Sequence, residues 1–173
     1  MKLHFLGTGS GMPSKQRNVS GLGLTLPKQT WLFDCGEATQ HQILHTSLKP
    51  RKVSAVFITH LHGDHVFGLP GFLSTRSALA GTDPLTLYGP KGIKKWLEMT
   101  LNVTGSYLGY PLTIVEYKDG DEFLQDGHRV TVKKLEHRFP SYGFRIEAPI
   151  RPGTLLVDKV KALGIPNGQI YGQ

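Results

Sequence analysis

The residues whose types and spacing could do chemistry lie together in one short segment, residues 59–65, which reads Thr-His-Leu-His-Gly-Asp-His. It directly follows an apolar, β-branched run at residues 53–58 that predicts a buried strand. Side chains two residues apart in an extended chain point to the same side, so His60 and His62 project together. Two imidazoles placed in this way predict a metal site, since neutral imidazole is the commonest metal ligand.

The same segment ends with two further donors. Gly63 permits a sharp bend, after which Asp64 and His65 stand near the start of a helix predicted at residues 66–80. There the helix dipole favours a carboxylate, and both side chains could reach a second cation. The other interpretation is a solvated loop with incidental histidines. With eight His in 173 residues, three within six positions favour the metal site.

Two residues elsewhere have roles that the sequence alone leaves open. Asp34 ends a strand predicted at residues 30–34, where its carboxylate could cap the following helix or accept a hydrogen bond from a ligating imidazole. His137 comes just after a strand predicted at residues 129–135. It could be a third imidazole of the metal site, or an ordinary surface or core histidine.

Length and composition fit one α/β unit in a reducing compartment. The chain has 173 residues, of which 39% are hydrophobic, and its single cysteine excludes an internal disulfide framework. No apolar run approaches the roughly 18 residues of a membrane span, so we expect a cytoplasmic protein without a membrane partner. The net charge of +7, with basic clusters at residues 49–52, 91–95 and 133–138, suits an anionic partner, but ordinary solvated charge explains it equally well.

Hydrophobic patterns and turn signals predict alternating strands and helices, followed by strands alone. Strands are predicted at residues 2–6, 19–26, 30–34, 53–58 and 85–88, and helices at residues 37–48, 66–80 and 90–101, the last with Pro90 in its first turn. The later strands, at residues 111–117, 122–124, 129–135 and 143–147, are predicted to be largely antiparallel and joined by Asp-Gly turns. This α/β (α+β) pattern predicts a sheet covered by helices.

Six motifs are distributed between the start of the chain and about residue 142. They are Phe-Leu-Gly-Thr-Gly at 5–9, Pro-Ser-Lys-Gln-Arg-Asn at 13–18, Phe-Asp-Cys-Gly-Glu-Ala-Thr-Gln at 33–40, the histidine cluster at 60–65, Phe-Gly-Leu-Pro-Gly at 67–71 and Leu-Glu-His at 135–137. With these motifs the chain resembles the ribonuclease Z family, the tRNA 3′-processing endonucleases of the metallo-β-lactamase superfamily.

The resemblance implies the metallo-β-lactamase fold, an αββα sandwich of two similar halves. Residues 1–148 resemble the amino-terminal part of that domain, and residues 149–173 resemble the start of the arm that grips tRNA. Family members often have Gly-Pro where this chain has Gly168 and Gln169, which leaves the arm's conformation open. Complete members continue with a metal-bridging carboxylate and two further histidines. We therefore expect this chain to associate with the missing half or to form a homodimer, because a half-sandwich would leave the apolar inner face of its sheet uncovered.

The resemblance also implies two Zn²⁺ ions in a complete active site. The ligands carried by this chain are His60, His62 and His137 on one ion and Asp64 and His65 on the other. We expect this chain alone to hold at most one zinc tightly, because the second ion has only two of these ligands.

Further roles follow from the same resemblance. Asp64 orients or deprotonates the attacking hydroxide, and Asp34 supports the metal site without binding the ion. Lys15 and Arg17 sense the 3′ end of the tRNA. The expected activity is hydrolysis of pre-tRNA 3′ trailers that leaves a 3′-hydroxyl on the tRNA, although we expect the isolated chain to be inactive. Two alternatives stay open: another hydrolase of this fold, acting on a phosphodiester, thioester or sulfate ester, or a non-catalytic half-domain.

Overall fold

A computed structural model describes residues 1–150, 153 and 156–164 of the chain. Six strands form its larger sheet, in which strand order follows the sequence. They are β1 (Lys2–Gly7), β2 (Gly21–Thr25), β3 (Thr30–Phe33), β4 (Val53–Phe57), β5 (Leu85–Pro90) and β6 (Leu112–Tyr117). Strands β1 to β3 pair antiparallel, whereas β3 to β6 pair parallel.

Helices provide the crossovers that parallel strands require. They are α1 (Thr39–Leu44), α2 (Gly63–Val66), α3 (Leu69–Ala78) and α4 (Ile93–Val103), with a short 3₁₀ helix at Pro50–Lys52 and a further helix α5 (Val157–Ala162) after the sheets. Among the helices of the described ranges, none combines the length and apolar character needed to cross a bilayer.

All three helix predictions were wrong in detail. The helix predicted at residues 37–48 is shorter and spans Thr39–Leu44. The helix predicted at residues 66–80 is divided into α2 and α3, with Pro70 in the first turn of α3. The division lies at Gly68, where an added Cβ would lie 1.8 Å from the Gly36 carbonyl oxygen, so tertiary packing sets the break. Pro90 does not open a helix: it is the last residue of β5, and α4 begins after Gly92, whose φ of 106° suits glycine.

A second sheet contains three antiparallel strands: β7 (Glu122–Gln125), β8 (His128–Leu135) and β9 (Ser141–Glu147). The antiparallel prediction was therefore right for these strands. It was wrong for β6, which joins the larger sheet parallel to β5 because α4 returns the chain to the same end of that sheet.

The described residues form three layers, the helices, the larger sheet and the smaller sheet, with an apolar core between each pair of neighbouring layers. The helices pack on one face of the larger sheet, around Phe72, Leu73 and Leu97. The second sheet packs on the other face through an aromatic core that includes Trp31 and Phe57. This packing places the carboxyl ends of β3 and β4 next to the start of β9, where the Tyr142 N–H donates to the Thr59 carbonyl.

The expectation that the inner face of the sheet would be uncovered was wrong for most of that face. The three-stranded sheet covers β3 to β6 and part of β2, with Trp31 and Phe57 fully buried. As far as the described residues show, the part of this face that stays open is the β1 end, where Leu3 is 54% and Phe5 72% exposed. Leu3 is paired with Leu24, so its side chain lies on the inter-sheet face.

Candidate metal centre

Four imidazoles gather beyond the ends of β4 and β8. The ring centroids of His60 and His62 are 4.7 Å apart, and those of His60 and His65 are 4.0 Å apart. His137 reaches the same cluster from the end of β8, with its ring centroid 5.5 Å from that of His60 and 6.0 Å from that of His62. The fold thus brings together all four histidines that the sequence singled out.

Ring spacing and donor geometry give different answers about a metal ion. Around a tetrahedral zinc with Zn–N distances of about 2.0–2.1 Å, the centroids of two ligating imidazoles lie about 5 Å apart. The three separations among His60, His62 and His137 are 4.7, 5.5 and 6.0 Å, which bracket that value. Yet in the part of the chain that the structure describes, no group of three or more His, Cys, Asp or Glu is arranged to hold an ion. Rotation of an imidazole redirects its nitrogens without moving the strand that carries it, so ring spacing is the property that the backbone fixes. The residues present therefore fit a metal in type and proximity.

Asp34 is the centre of the hydrogen bonding behind these rings. Its Oδ1 accepts hydrogen bonds from the Thr59 backbone N–H at 2.8 Å and the Thr59 hydroxyl at 3.0 Å, and its Oδ2 lies 2.7 Å from His65 Nδ1. The helix that follows is capped at Ala38 without a side-chain hydrogen bond, so Asp34 does not cap it. Of the two roles left open, the geometry corresponds to the acceptor for an imidazole.

These contacts determine which imidazole nitrogens carry a proton. A carboxylate can only accept, so His65 Nδ1 must donate to Asp34. The Thr59 hydroxyl has one proton, which it donates to Asp34, and it must therefore accept from His60 Nδ1 at 2.9 Å. Both rings are left with Nε2 as the nitrogen that can bind a metal.

Protonation of His60 and His65 is shifted in opposite directions. Burial, together with the charges of the neighbouring histidines, lowers the pKa of His60 to about 4, although Asp34 opposes the shift. Burial also opposes protonation of His65, but its hydrogen bond to Asp34 and the carboxylates of Asp34, Asp64 and Glu37 outweigh burial and raise its pKa. A ligating histidine must be neutral, and His60 is held in that state by its surroundings.

Asp64 is held by the glycine-rich loop near the amino terminus. The Gly11 backbone N–H donates to Asp64 Oδ2 at 2.9 Å, and the same oxygen lies 3.4 Å from His65 Nε2. Lys15 and Arg17 are exposed on this loop, and Arg17 lines a cavity of about 270 Å³. The loop that carries the two predicted substrate contacts is therefore attached directly to a predicted metal ligand.

A backbone cradle fixes the helix that follows the cluster. The Cys35 N–H donates to the His65 carbonyl at 2.8 Å, and the Gly68 N–H donates to the Cys35 carbonyl at 3.0 Å. A Cβ at Gly36 would lie 2.0 Å from the Asp64 carbonyl oxygen, so glycine is required there. Burial is the main cause that raises the pKa of the Cys35 thiol, which makes it an inert packing residue.

Two residues of this centre were given no role by the sequence. Thr59 links Asp34 to His60, as described above. The Phe139 ring lies 4.6 Å from that of His62, and its backbone N–H and carbonyl lie 3.1 and 3.2 Å from His137 Nδ1. The position of Thr59 just before His60 was an available signal; no periodicity or motif would have indicated Phe139.

Similarity to solved structures defines the class of protein. Human tRNase Z, short form, matches with a TM-score of 0.79 and 34% sequence identity, over 86% of this chain and 65% of that chain. The metallo-β-lactamase fold protein YhfI of Bacillus subtilis matches with a TM-score of 0.67 and 20% identity, over 83% of this chain and 56% of that chain. The expectation of a metallo-β-lactamase fold is therefore confirmed.

The chain belongs to the family described as Anti-Pycsar protein Apyc1, whose model matches residues 1–150. Among curated relatives it is 74% identical over 171 residues to a ribonuclease Z of Exiguobacterium sp. strain AT1b, a match that covers 99% of this chain and 57% of the relative. The predicted resemblance to ribonuclease Z is confirmed. The chain spans a little more than half the length of the curated relatives that it matches. Fold and relatives together imply a metal cofactor.

Proposed function

We propose that this chain is part of a zinc-dependent endoribonuclease that removes the 3′ trailer of pre-tRNA and leaves a 3′-hydroxyl on the tRNA. The observation that carries the proposal is the histidine cluster at the end of β4, in a chain that is 74% identical to a protein named ribonuclease Z. Human tRNase Z supports it through its TM-score of 0.79 at 34% identity.

In this proposal His60, His62 and His137 hold one zinc, and Asp64 and His65 contribute to the second. Bound zinc would supply a hydroxide at neutral pH and charge stabilisation at the phosphate. The carboxylates of this chain would orient a metal ligand and accept a proton. Asp34 holds the proton of His65 on Nδ1, which keeps Nε2 free.

Asp64 is proposed to accept the proton of the attacking water. Its Oδ2 accepts a hydrogen bond from the Gly11 N–H at 2.9 Å, which fixes the orientation of the carboxylate. Lys15 and Arg17 are proposed to contact the phosphates at the tRNA 3′ end, one as a point charge and the other as a planar fork.

Three further statements belong to the same proposal. Residues 149–173 form the start of a tRNA-binding arm after the domain part at residues 1–148. Residues 165–173, which include the Gly168-Gln169 pair, lie outside the described residues. The protein works in the cytoplasm, either as a homodimer or together with a carboxy-terminal half. The open β1 end, with Leu3 and Phe5 exposed, favours such an association.

A second candidate is another hydrolase of the same fold, acting on a phosphodiester, thioester or sulfate ester. It is favoured by the description of the matching family model, which does not name a ribonuclease.

The proposed function is tested with a chimera. This chain is joined to the segment of the Exiguobacterium relative that lies beyond the match, and a labelled pre-tRNA with a 3′ trailer is the substrate. We expect one cut at the trailer and a 3′-hydroxyl product. Asp64→Asn should abolish cleavage, whereas Asp83→Asn should not, because Asp83 is exposed in the loop before β5.

A panel of small phosphodiester, thioester and sulfate ester substrates is assayed in parallel. Hydrolysis of one of these without cleavage of pre-tRNA would favour the second candidate. A folded chimera that cleaves none of them would contradict both.

A further inference from the structure

The peptide unit just before the histidine cluster is held from several strands at once. Ile58 donates its N–H to the Tyr88 carbonyl of β5 at 2.8 Å. The next residue, Thr59, donates to Asp34 at the end of β3 and accepts at 3.1 Å from the Tyr142 N–H of β9. The backbone just before His60 is therefore held in place by hydrogen bonds to neighbouring strands.

The backbone carbonyl of Ile58 lacks the N–H donor that a regular parallel sheet would provide. In a parallel ladder a residue that donates to residue j−1 of the next strand accepts from residue j+1. Ile58 donates to Tyr88, so its carbonyl should accept from residue 90. Residue 90 is proline, which has no N–H. The ladder cannot satisfy the Ile58 carbonyl, although Ile58 is fully buried.

Tyr117 supplies the missing donor. It is paired with Pro90 in the register of β6 on β5, and its hydroxyl donates to the Ile58 carbonyl. The side chain is 4% exposed, and its ring packs edge-on against Tyr142 with centroids 5.1 Å apart. Burial raises the pKa of the Tyr117 phenol, with Asp34 and Tyr142 adding to the shift, so the hydroxyl stays protonated and remains a donor.

We propose that Tyr117 is a positioning residue of the metal centre: its hydroxyl replaces the N–H that Pro90 lacks and fixes the direction in which His60 and His62 leave the sheet. The inference deepens the proposed function and rests on it for the identity of the cluster as a metal site. Pro90 at the end of β5 interrupts the hydrogen bonding between β4 and β5 beside the histidines, and the Tyr117 hydroxyl from β6 supplies the missing hydrogen bond.

Tyr88 offers a matched control for a substitution of Tyr117. Its side chain is similarly buried at 5% exposure in the same aromatic core, and its hydroxyl also makes one hydrogen bond. The Tyr88 hydroxyl donates to the Gln125 side chain at 2.9 Å and not to the backbone before the histidine cluster. Tyr117→Phe and Tyr88→Phe thus remove the same group from the same core, but only one of them releases the Ile58 carbonyl.

Two readouts separate positioning from stability. The first is Zn²⁺ affinity, measured by competition with a chelator. The second is the exchange rate of the Tyr142 amide, which donates to Thr59, in the metal-free chain. We expect Tyr117→Phe to weaken Zn²⁺ binding about 10-fold, as is usual when a partner behind a ligand is lost, and to speed exchange of this amide. Tyr88→Phe should leave both unchanged.

The rescue variant replaces Pro90 with alanine in the Tyr117→Phe chain, which restores a backbone donor opposite the Ile58 carbonyl. We expect Zn²⁺ affinity and amide exchange to return toward their original values. Unchanged affinity in Tyr117→Phe, equal losses in both phenylalanine variants, failure of the rescue, or global unfolding of the Tyr117→Phe chain would each overturn the proposal. If the original chain bound no Zn²⁺, the proposed metal centre would fail, while amide exchange would still test the role of the hydroxyl.

Discussion

Replacement of Asp34 by asparagine tests how the metal centre is supported. The carboxylate is 6% exposed and accepts hydrogen bonds from Thr59 and from His65 Nδ1. Asparagine has nearly the same shape, and it tolerates the positive φ of 60° found at this position. It presents only one acceptor oxygen, however, and its amide group must face a donor.

The expected loss of stability follows from that mismatch. If the amide oxygen stays with Thr59, the NH₂ group faces His65, and a hydrogen bond to a charged acceptor worth about 1.5–3 kcal/mol is lost. Transfer of the His65 proton from Nδ1 to Nε2 would relieve the conflict, so we expect a net loss of about 2 kcal/mol in the free energy of unfolding. That transfer places a proton on the nitrogen needed for the metal, and Zn²⁺ affinity should fall about 10- to 100-fold.

Asp126→Asn is the matched control. Asp126 also has a positive φ, 50°, and its carboxylate also accepts hydrogen bonds, among them those from Trp31 Nε1 at 2.8 Å and from the Ser54 hydroxyl at 2.6 Å. It lies in the turn between β7 and β8, near the opposite end of β4 from His60. Its substitution should reduce stability without changing Zn²⁺ affinity.

The assays are urea denaturation of the metal-free chain, chelator competition for Zn²⁺, and nitrogen NMR of the imidazole rings to identify the His65 tautomer. If Asp34→Asn leaves the His65 proton on Nδ1 and the affinity intact, the reasoning is wrong. It is also wrong if Asp126→Asn weakens Zn²⁺ binding as strongly as Asp34→Asn does.

Four further predictions concern metal content, substrate contacts, assembly and pH. This chain alone should retain at most one tightly bound Zn²⁺, because Asp64 and His65 provide only two ligands for a second ion; two retained ions per monomer in metal analysis would refute this. In the chimera, Lys15→Ala and Arg17→Ala should alter discrimination between different tRNA 3′ termini without changing metal content; unchanged cleavage and discrimination in the double variant would remove this role. The isolated chain should not cut pre-tRNA and should not be a stable monomer, which light scattering after size exclusion and a cleavage assay would check; a monodisperse, active monomer would contradict it. Burial opposes ionisation of Asp126, but hydrogen bonds from neighbouring side chains outweigh it and lower its pKa below the ordinary 3.8, so its contribution to stability is present above about pH 3.8 and lost as pH falls through the shifted value. The stability difference between the original chain and Asp126→Asn should therefore shrink in acid, and a difference independent of pH would argue against it.

The sequence by itself determined the parts of this protein that depend on neighbouring residues. Alternation and β-branching predicted β4, and the spacing of His60 and His62 predicted that their rings share a side, as the centroid distance of 4.7 Å shows. Asp-Gly at residues 126–127 predicted the turn between β7 and β8. These features are local, so short patterns are enough to specify them.

Only the tertiary structure decided which distant groups meet. The parallel pairing of β6 depends on the return of the chain through α4, which no strand pattern encodes. The contacts of Gly11 with Asp64, of His137 with His60, and of Tyr117 with Ile58 each join segments separated by more than 50 residues. Such contacts depend on strand order, register and the packing of two sheets. In the case of Tyr117, they also depend on a proline in the neighbouring strand that leaves a buried carbonyl in need of a donor.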